Sequence, residues 1–316
     1  MKASPDSLII KDILEAILGW IAWLLNILFP PRLVVDNVKL EVLHLDKPVR
    51  IVQISDIHYD HTPIRIDDEL MEQVVQRVNE QSADLVVITG DLVQYQPEPV
   101  TVLVERHLSK LRANVGVYSI YGNHDYKTAH GPEMIANALK TANITMLHNE
   151  TTYPMGRGKG KLQLVGLGDY GRKRVHFKLD KVKGDIVEAE RPRVVLSHNP
   201  DSAFDLEPYD IDLVLSGHTH GGQICFPNGT PMMPLLDKLL LSLPKMFLLS
   251  ISYPSKVLKS WTWSRGHHVL RGVQLDKPKA QDRPMNLYIN RGLATHPPLR
   301  LFCHPEITVI DLIPKV

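Results

Sequence analysis

The chain has 316 residues, of which 44% are hydrophobic and 22% are charged, and these proportions exclude a disordered, collagenous or polytopic membrane protein. The 36 basic and 35 acidic residues leave a net charge of +1, whereas a general nucleic-acid binder would be far more basic. Two cysteines are too few for a disulfide framework, and a reducing compartment is therefore expected.

The first segment of the chain, residues 8–29, is mostly apolar and ends at two prolines. Its uninterrupted apolar part, residues 16–29, is shorter than the roughly 20 residues that a transmembrane helix needs. On a helix its polar residues would form one narrow stripe, and Trp20 and Trp23 would suit the headgroup boundary of a bilayer. We therefore predict that residues 1–31 form a membrane-anchoring helix at the interface. A core or dimer helix and a short transmembrane span are the alternatives.

The body of the chain alternates between strand and helix patterns. Strands are predicted at residues 49–54, 84–89, 115–121, 162–167, 193–196, 212–215, 285–290 and 307–312, and helices at 67–80, 99–111, 131–141 and 200–206. This β-α-β rhythm, with extra strands in the second half, predicts an α/β sandwich.

A second apolar stretch, called the insert here, covers residues 231–268 and carries more basic than acidic side chains. Prolines at positions 234, 244 and 254 divide it, so short helices are expected rather than one long helix. Such a stretch is typical of a surface that dips into an anionic membrane. A hydrophobic lid packed on its own domain is the alternative.

Polar side chains follow five of the predicted strands, at the point where each strand ends. The five groups are Asp56 with His58, Asp91, Asn123 with His124, His198, and His218 with His220. Because ligands bind beyond the carboxyl ends of strands in α/β sheets, these groups can converge on one edge. Carboxylate and imidazole groups suit divalent cations, and a carboxylate on a tight turn, such as Asp91, can bridge two of them. The ordered set therefore predicts a site for two metals.

The order D-x-H, G-D, G-N-H-D, H and G-H-x-H resembles the signature of the calcineurin-like metallophosphoesterase superfamily, over about residues 49–223. The segments 290–293 and 303–307 resemble the closing part of bacterial phosphodiesterases of the YaeI/YkuE type, except that His304 stands where a proline is usual. The resemblance implies a four-layer α-β-β-α sandwich, which we place in residues 32–316.

Position by position, the resemblance implies two metal sites and a catalytic pair. One metal would be held by Asp56, His58, Asp91 and His220, and the other by Asp91, Asn123, His198 and His218. Asp91 would bridge the two metals together with a water or hydroxide. His124 would act as acid to the leaving oxygen or stabilise charge on phosphorus, and Asp125 would orient its imidazole. Two divalent ions are implied, with Mn²⁺ as the first choice and iron or zinc also compatible with these ligands.

The substrate is predicted from the two membrane-directed segments, which favour a lipid-linked phosphate ester, while the weak net charge argues against a nucleic acid. A membrane-associated relative that hydrolyses UDP-2,3-diacylglucosamine to UMP and 2,3-diacylglucosamine 1-phosphate, in lipid A synthesis, fits best. A broad-specificity membrane-tethered phosphodiesterase or phosphatase is the alternative, followed by a non-catalytic membrane scaffold.

Further expectations concern the tail of the chain and its location. Arg291 and Arg300 are candidate substrate contacts. The protein is expected to be peripheral or monotopic at the inner membrane, with the catalytic domain on the cytoplasmic side. The oligomeric state is left open.

Overall fold

The structure is a computed structural model that describes residues 20–21, 24–171, 173–186, 191–242, 258–259, 261–270, 284–296 and 299–315. The strands in these ranges are β1 (Val34–Val42), β2 (Val49–Ile54), β3 (Leu85–Ile88), β4 (Gly116–Ser119), β5 (Ile144–Met146), β6 (Glu150–Thr152), β7 (Gln163–Gly166), β8 (Arg193–Leu196), β9 (Leu213–Ser216), β10 (Gly266–Leu270), β11 (Met285–Ile289) and β12 (Glu306–Pro314). The helices are α1 (Asp68–Glu80), α2 (Pro99–Arg106), α3 (Gly131–Thr141), α4 (Lys183–Ile186), α5 (Ala203–Leu206) and α6 (Met233–Leu241).

The strands form two mixed sheets of six strands each. The first has the order β1-β12-β2-β3-β4-β5 and the second the order β10-β11-β9-β8-β7-β6. Strands β2 to β5 are parallel in the first sheet, and β7, β8, β9 and β11 are parallel in the second. The carboxyl ends of these parallel strands lie at one edge of each sheet, which is where α/β proteins place their ligands.

Three apolar cores separate the layers. Along β3, Leu85 and Val87 belong to the core between the two sheets, whereas Val86 and Ile88 belong to the core under α1, α2 and α3. This alternation follows from the two-residue period of a strand. A third core joins the outer face of the second sheet to α4 and α5. The layers are therefore helix, sheet, sheet and helix, and the predicted α/β class is confirmed.

The predicted elements of the body match the observed ones to within a few residues, but four strands were missed. These are β1, β5, β6 and β10. The nine residues of β1 pair in parallel with β12 along its whole length, from Val34 with Glu306 to Val42 with Pro314. Strands β5 and β6 have only three residues each, which is too short for a periodic pattern to be visible.

The two segments predicted to approach a membrane are only partly described. Of residues 1–31, the structure describes 20–21 and 24–31, where residues 24–28 are helical and the ring of Phe29 lies 4.9 Å from that of Phe302. Of the insert, residues 243–257 and 260 lie outside the described part. Among the described helices, none combines the length and the apolar character that crossing a bilayer requires.

Candidate metal centre

The predicted ligands of the second metal lie around one carboxylate oxygen, Oδ2 of Asp91. Asp91, just beyond β3, places its Oδ2 3.4 Å from His58 Nε2 and 3.2 Å from His198 Nε2. His218 Nδ1 lies 3.2 Å from the same His198 nitrogen. One oxygen of Asp91 therefore faces imidazoles from both sheets, which is the position that a bridging ligand needs.

The first predicted metal group lies beside it. His220 Nε2 is 3.1 Å from His58 Nε2 and 3.5 Å from Asp56 Oδ1. Both carboxylate oxygens of Asp56 accept from the backbone N–H of His218 at 3.0 Å, which joins the end of β2 to the loop after β9. The side chains of all three residues are buried or nearly so. The structure thus brings the ligands of both predicted sites into one cluster.

A backbone carbonyl on the far side of His198 favours the tautomer that a metal site needs. His198 Nδ1 donates to the carbonyl of Thr89 at 2.7 Å, so the neutral ring presents a bare Nε2 to a metal ion, as metal-ligating histidines usually do. His220 Nδ1 lies between the carbonyl of Ala294 at 3.3 Å and Nη2 of Arg300 at 3.4 Å. The side-chain oxygen of Asn123 is buried without a hydrogen-bond partner. Oxygen and imidazole donors of this kind fit divalent cations.

The pKa values of the clustered histidines and of Asp91 also support their interpretation as metal ligands. Burial lowers the pKa of His58 and of His220 well below the usual histidine range. Burial would raise the pKa of Asp91, but the positive charge of His198 and then of His58 holds it well below its usual range. Burial would lower the pKa of His198, but the Asp91 carboxylate raises it to about 10. A proton on His198 is therefore what a metal ion would displace.

The backbone at this edge is unusual, because most of the predicted ligands adopt left-handed φ angles. They are Asp56 (52°), His58 (44°), Asp91 (54°), His218 (74°) and His220 (50°). Such angles cost L-residues of order 1–3 kcal/mol each and concentrate at functional sites. The surrounding hydrogen bonds hold them in place, including the bond from His124 N to Asp91 Oδ1 at 2.8 Å.

Two glycines let the turns approach the carboxylates. A Cβ on Gly122 would lie 2.1 Å from Asp91 Oδ1, and a Cβ on Gly217 would lie 2.3 Å from Asp56 Oδ2. Both distances are far below a van der Waals contact. The glycines of the G-N-H-D and G-H-x-H motifs are therefore needed for close approach between chain segments.

His124 lies at the mouth of the cluster. Its Nδ1 donates to the carbonyl of Gln94 at 2.7 Å, and its ring meets that of His58 edge-on at 4.8 Å. The prediction that Asp125 orients this imidazole is wrong. The Asp125 carboxylate accepts instead from the backbone N–H groups of Leu92 at 3.0 Å and Gly122 at 2.8 Å. Asp125 therefore supports the turns after β3 and β4, and the Gln94 carbonyl orients His124.

The two arginines predicted to bind substrate are used inside the protein. Arg291 pairs with Glu306 and with Asp36, each at 2.5 Å. Arg300 is 1% exposed and donates to the backbone carbonyls of Gly292 at 3.1 Å and Ala294 at 2.7 Å. A buried guanidinium must be fully paired, and here the partners are groups of the protein itself. Neither arginine belongs to the lining of the cavity described below, and their contact with substrate stays a prediction.

Sequence reasoning missed His296, which follows β11 in the tail. Its Nε2 lies 3.1 Å from His220 Nε2, and its ring lies 4.7 Å from that of His58. Burial, followed by the nearby charge of Arg65, lowers the pKa of His296 to about 4. β11 is parallel to β9 and ends at the same edge, but His296 lies seven residues beyond its end at Ile289, too far for the strand-end rule to select it.

A cavity of about 720 Å³ opens above the cluster and is shared with the insert. Its floor includes Asn123, His124, His218, His220 and His296, and its walls include Tyr170, Arg174, Met233, Leu258, Lys259 and Trp261. The Arg174 guanidinium lies 4.5 Å and the Lys259 ammonium 5.6 Å from the centre of the Tyr170 ring. The cavity therefore combines apolar side chains with the cations of Arg174 and Lys259, and the carboxylates of Asp169 and Asp201 line it as well.

Comparisons with known proteins agree with this geometry. The chain is 37% identical over 186 residues to an uncharacterized metallophosphoesterase of Helicobacter pylori, an alignment that covers 58% of this chain and 47% of that protein. It is 28% identical over 269 residues to the phosphodiesterase YaeI of Escherichia coli, covering 84% and 83% of the two chains. It is 29% identical over 226 residues to the UDP-2,3-diacylglucosamine pyrophosphatase LpxG of Chlamydia trachomatis, covering 57% and 65%.

The Helicobacter protein is the longer one, and the chain spans about half of its length. The family model of the calcineurin-like phosphoesterases matches residues 49–222, which run from the start of β2 to the loop after β9. That range contains every residue of the predicted metal cluster. The chain belongs to the calcineurin-like phosphoesterase family.

Proposed function

We propose that the protein is a dinuclear-metal phosphoesterase that acts on a lipid-linked phosphate ester or pyrophosphate, such as UDP-2,3-diacylglucosamine. The single observation that carries the lipid part is the shared cavity. Met233, Leu258 and Trp261 of the insert line the same space as His218 and His220. A cavity of this size that combines apolar side chains with convergent polar groups is typical of a site for a small amphipathic ligand.

The chemistry would take place at the floor of the cavity. When bound, two divalent cations, with Mn²⁺ as our first choice, activate water and offset the charge of a phosphoryl group. Asp56, His58 and His220 would hold one cation, and Asn123, His198 and His218 the other, with Asp91 shared. His124 faces the cavity with its Nδ1 bonded to a carbonyl, so its Nε2 is the atom that would carry a proton to the leaving oxygen.

The cations at the cavity wall suit the other end of such a substrate. Arg174 and Lys259 flank the ring of Tyr170, at 4.5 Å and 5.6 Å from its centre. Tyr170 is itself only 4% exposed, and Arg174 also pairs with Asp205 at 2.5 Å, so the two cations rather than the ring are the groups that would meet the phosphates of such a substrate. Cleavage of the pyrophosphate would release UMP and 2,3-diacylglucosamine 1-phosphate, and the named pyrophosphatase of Chlamydia trachomatis supports this choice.

The proposed location is the cytoplasmic face of the inner membrane, with peripheral or monotopic attachment. Exposed apolar side chains support it: Leu24, Ile27 and Leu28 are 50–58% exposed, and Leu235 and Leu239 of α6 are 60% and 62% exposed. Side chains of this kind bind bilayer interfaces when they cluster on a helix.

The second candidate is a broad-specificity phosphodiesterase or phosphatase that the anchor only concentrates at the membrane. It is supported by the similarity to the Escherichia coli phosphodiesterase, which is 28% identical over 84% of this chain. A non-catalytic membrane scaffold ranks third, because the cluster holds a full set of metal donors.

The test compares hydrolysis of UDP-2,3-diacylglucosamine with that of bis-p-nitrophenyl phosphate by detergent-purified, manganese-loaded protein. Met233→Ser should slow hydrolysis of the lipid substrate at least about tenfold more than that of the small diester, because only the lipid needs the apolar wall. Leu236→Ser on the same helix is the matched control, since Leu236 is 40% exposed and not part of the cavity lining.

The outcomes separate the three candidates. Release of UMP that depends on Asn123 and on Met233 supports the lipid substrate. Activity confined to the small diester, and lost in Asn123→Ala, leaves the broad phosphodiesterase. A folded protein that binds vesicles but hydrolyses neither compound with Mn²⁺, Fe²⁺ or Zn²⁺ would be the scaffold.

A further inference from the structure

His296 differs from His198 in what its far nitrogen contacts. In His198 the far nitrogen, Nδ1, donates to a backbone carbonyl at 2.7 Å, so the neutral ring has no proton on its near nitrogen. In His296 the far nitrogen lies 2.7 Å from Nη1 of Arg65. A guanidinium is only a donor, so Nδ1 of His296 must be the acceptor. The single proton of this imidazole is therefore on Nε2, the atom that faces the cluster.

The ring is held rigidly in that orientation. The side-chain amide of Gln223 makes two bonds to the backbone of His296, because its Oε1 accepts from His296 N and its Nε2 donates to His296 O, both at 2.8 Å. Arg65 is tied to the same segment, since its carbonyl accepts from Thr295 N at 2.9 Å. Gln223 lies just after the G-H-x-H motif, so the clamp fixes His296 to the loop that carries His218 and His220.

The proton on Nε2 of His296 has an acceptor in His220, and a metal ion bound to His220 would remove that acceptor. His296 Nε2 lies 3.1 Å from His220 Nε2, and the lone pair that His220 would offer to a metal can accept this proton. A cation on His220 would occupy that lone pair and leave the N–H of His296 without an acceptor. His296 is only partly buried, so an acceptor oxygen of water or of a ligand in the cavity would then take this N–H. His296 also lines the cavity in which a substrate would lie.

We propose that His296 is a substrate-binding residue that donates its Nε2–H to a phosphoryl oxygen, and that Arg65 is a positioning residue that fixes its tautomer. The inference rests on the proposed phosphoesterase function and names a contact within the same site. A neutral imidazole in this tautomer has no free lone pair on the cavity side. It therefore binds an anionic oxygen but neither ligates a metal nor accepts a proton there.

Phosphate binding to the metal-loaded protein tests the contact, with inorganic phosphate as the probe and isothermal titration calorimetry as the readout. His296→Phe keeps a ring against His58 and His220 but lacks the N–H, and His296→Gln keeps an N–H at a similar reach. We expect phosphate to bind about tenfold or more weakly to the phenylalanine variant and within about threefold of wild type to the glutamine variant. Both variants should retain two manganese ions by elemental analysis.

Two results would overturn the proposal. If His296→Phe binds phosphate as tightly as wild type, the side chain makes no such contact. If either variant loses a manganese ion, His296 is a ligand. A wild-type protein that hydrolyses no phosphoester would contradict the proposed function itself, whereas these two results concern His296 alone.

A measurement on the unmutated protein covers the case in which the phenylalanine variant does not fold. Long-range ¹H–¹⁵N spectra of the zinc-loaded protein should show His296 with a protonated Nε2 and a bare Nδ1, with His296→Gln providing the assignment. Arg65→Met should shift this tautomer balance and weaken phosphate binding, and Arg65→Lys should restore both, because lysine again donates to Nδ1. An unprotonated Nε2 in the wild-type spectrum would overturn the proposal.

Discussion

Gly122 offers a sharp test of the metal centre, because its substitution by alanine acts on the shared carboxylate through steric contact alone. The added Cβ would lie 2.1 Å from Asp91 Oδ1 and 2.4 Å from the Asp91 backbone nitrogen. Ordinary contact begins near 3.4 Å, so the carboxylate must retreat by about 1.3 Å. Rotation of the side chain cannot relieve the clash with the backbone nitrogen, so the turn after β3 must also move.

The displacement is large relative to what a metal site tolerates. Ligand distances in metal sites are held to within about 0.2 Å, and Asp91 Oδ2 now lies 3.2 Å from His198 Nε2 and 3.4 Å from His58 Nε2. A shift of about 1.3 Å would therefore remove the carboxylate from at least one cation. Overpacking of this kind also costs roughly 1–3 kcal/mol of folding free energy.

Manganese stoichiometry measures the effect directly. We expect two bound ions in wild type and at most one in Gly122→Ala, with circular dichroism showing a folded protein. Gly158→Ala is the matched control, because its Cβ would meet only Lys161 Cγ, at 3.5 Å. Binding of two ions by Gly122→Ala with wild-type affinity would refute the assignment of Asp91 as the shared ligand.

Three further predictions follow from the same geometry. His124→Ala should lower kcat for bis-p-nitrophenyl phosphate by about 10²-fold or more while both manganese ions stay bound, and an unchanged kcat would exclude His124 as the acid. Removal of metal with EDTA should lower Tm by about 4 °C for each ion lost, because an ion present at a hundred times its Kd adds roughly 2.7 kcal/mol of stability, and a scan that shows no change would argue against a tightly held metal. Replacing Leu235 and Leu239 together by serine should reduce flotation with anionic vesicles and leave hydrolysis of the small diester unaltered, whereas equal flotation would mean that α6 does not touch the membrane.

Much of the fold could be predicted because its elements are set by local patterns. In β3 the four apolar residues between Asp84 and Thr89 are recognisable without knowledge of their neighbours, and α1 shows its buried face at Met71, Val74 and Val78. The pairing of β1 with β12 could not be predicted, because it does not depend on a local pattern. It joins segments about 270 residues apart, and no local period encodes a partner at that distance.

The metal centre, like the fold, has a part that the sequence predicts and a part that it does not. Which side chains gather could be predicted, because parallel strands present their carboxyl ends at one edge and the polar residues after each strand must meet there. The structure does bring Asp91, His198 and His220 together in this way. The roles of the residues next to the cluster could not be predicted from their positions in the chain. Asp125 stands beside His124 in sequence, yet its carboxylate bonds to backbone N–H groups of other turns.

The sequence by itself determined the fold class and the residues at the strand ends, since both depend on short-range periodicity and on a topological rule. Only the tertiary structure decided the partners of the polar groups around them. Arg291 pairs with Asp36 and Glu306, Arg300 bonds to carbonyls of the tail, and the proton position of His296 depends on Arg65, 231 residues away. Hydrogen bonding acts over about 3 Å, so such roles are decided only when the folded chain has brought donor and acceptor into contact.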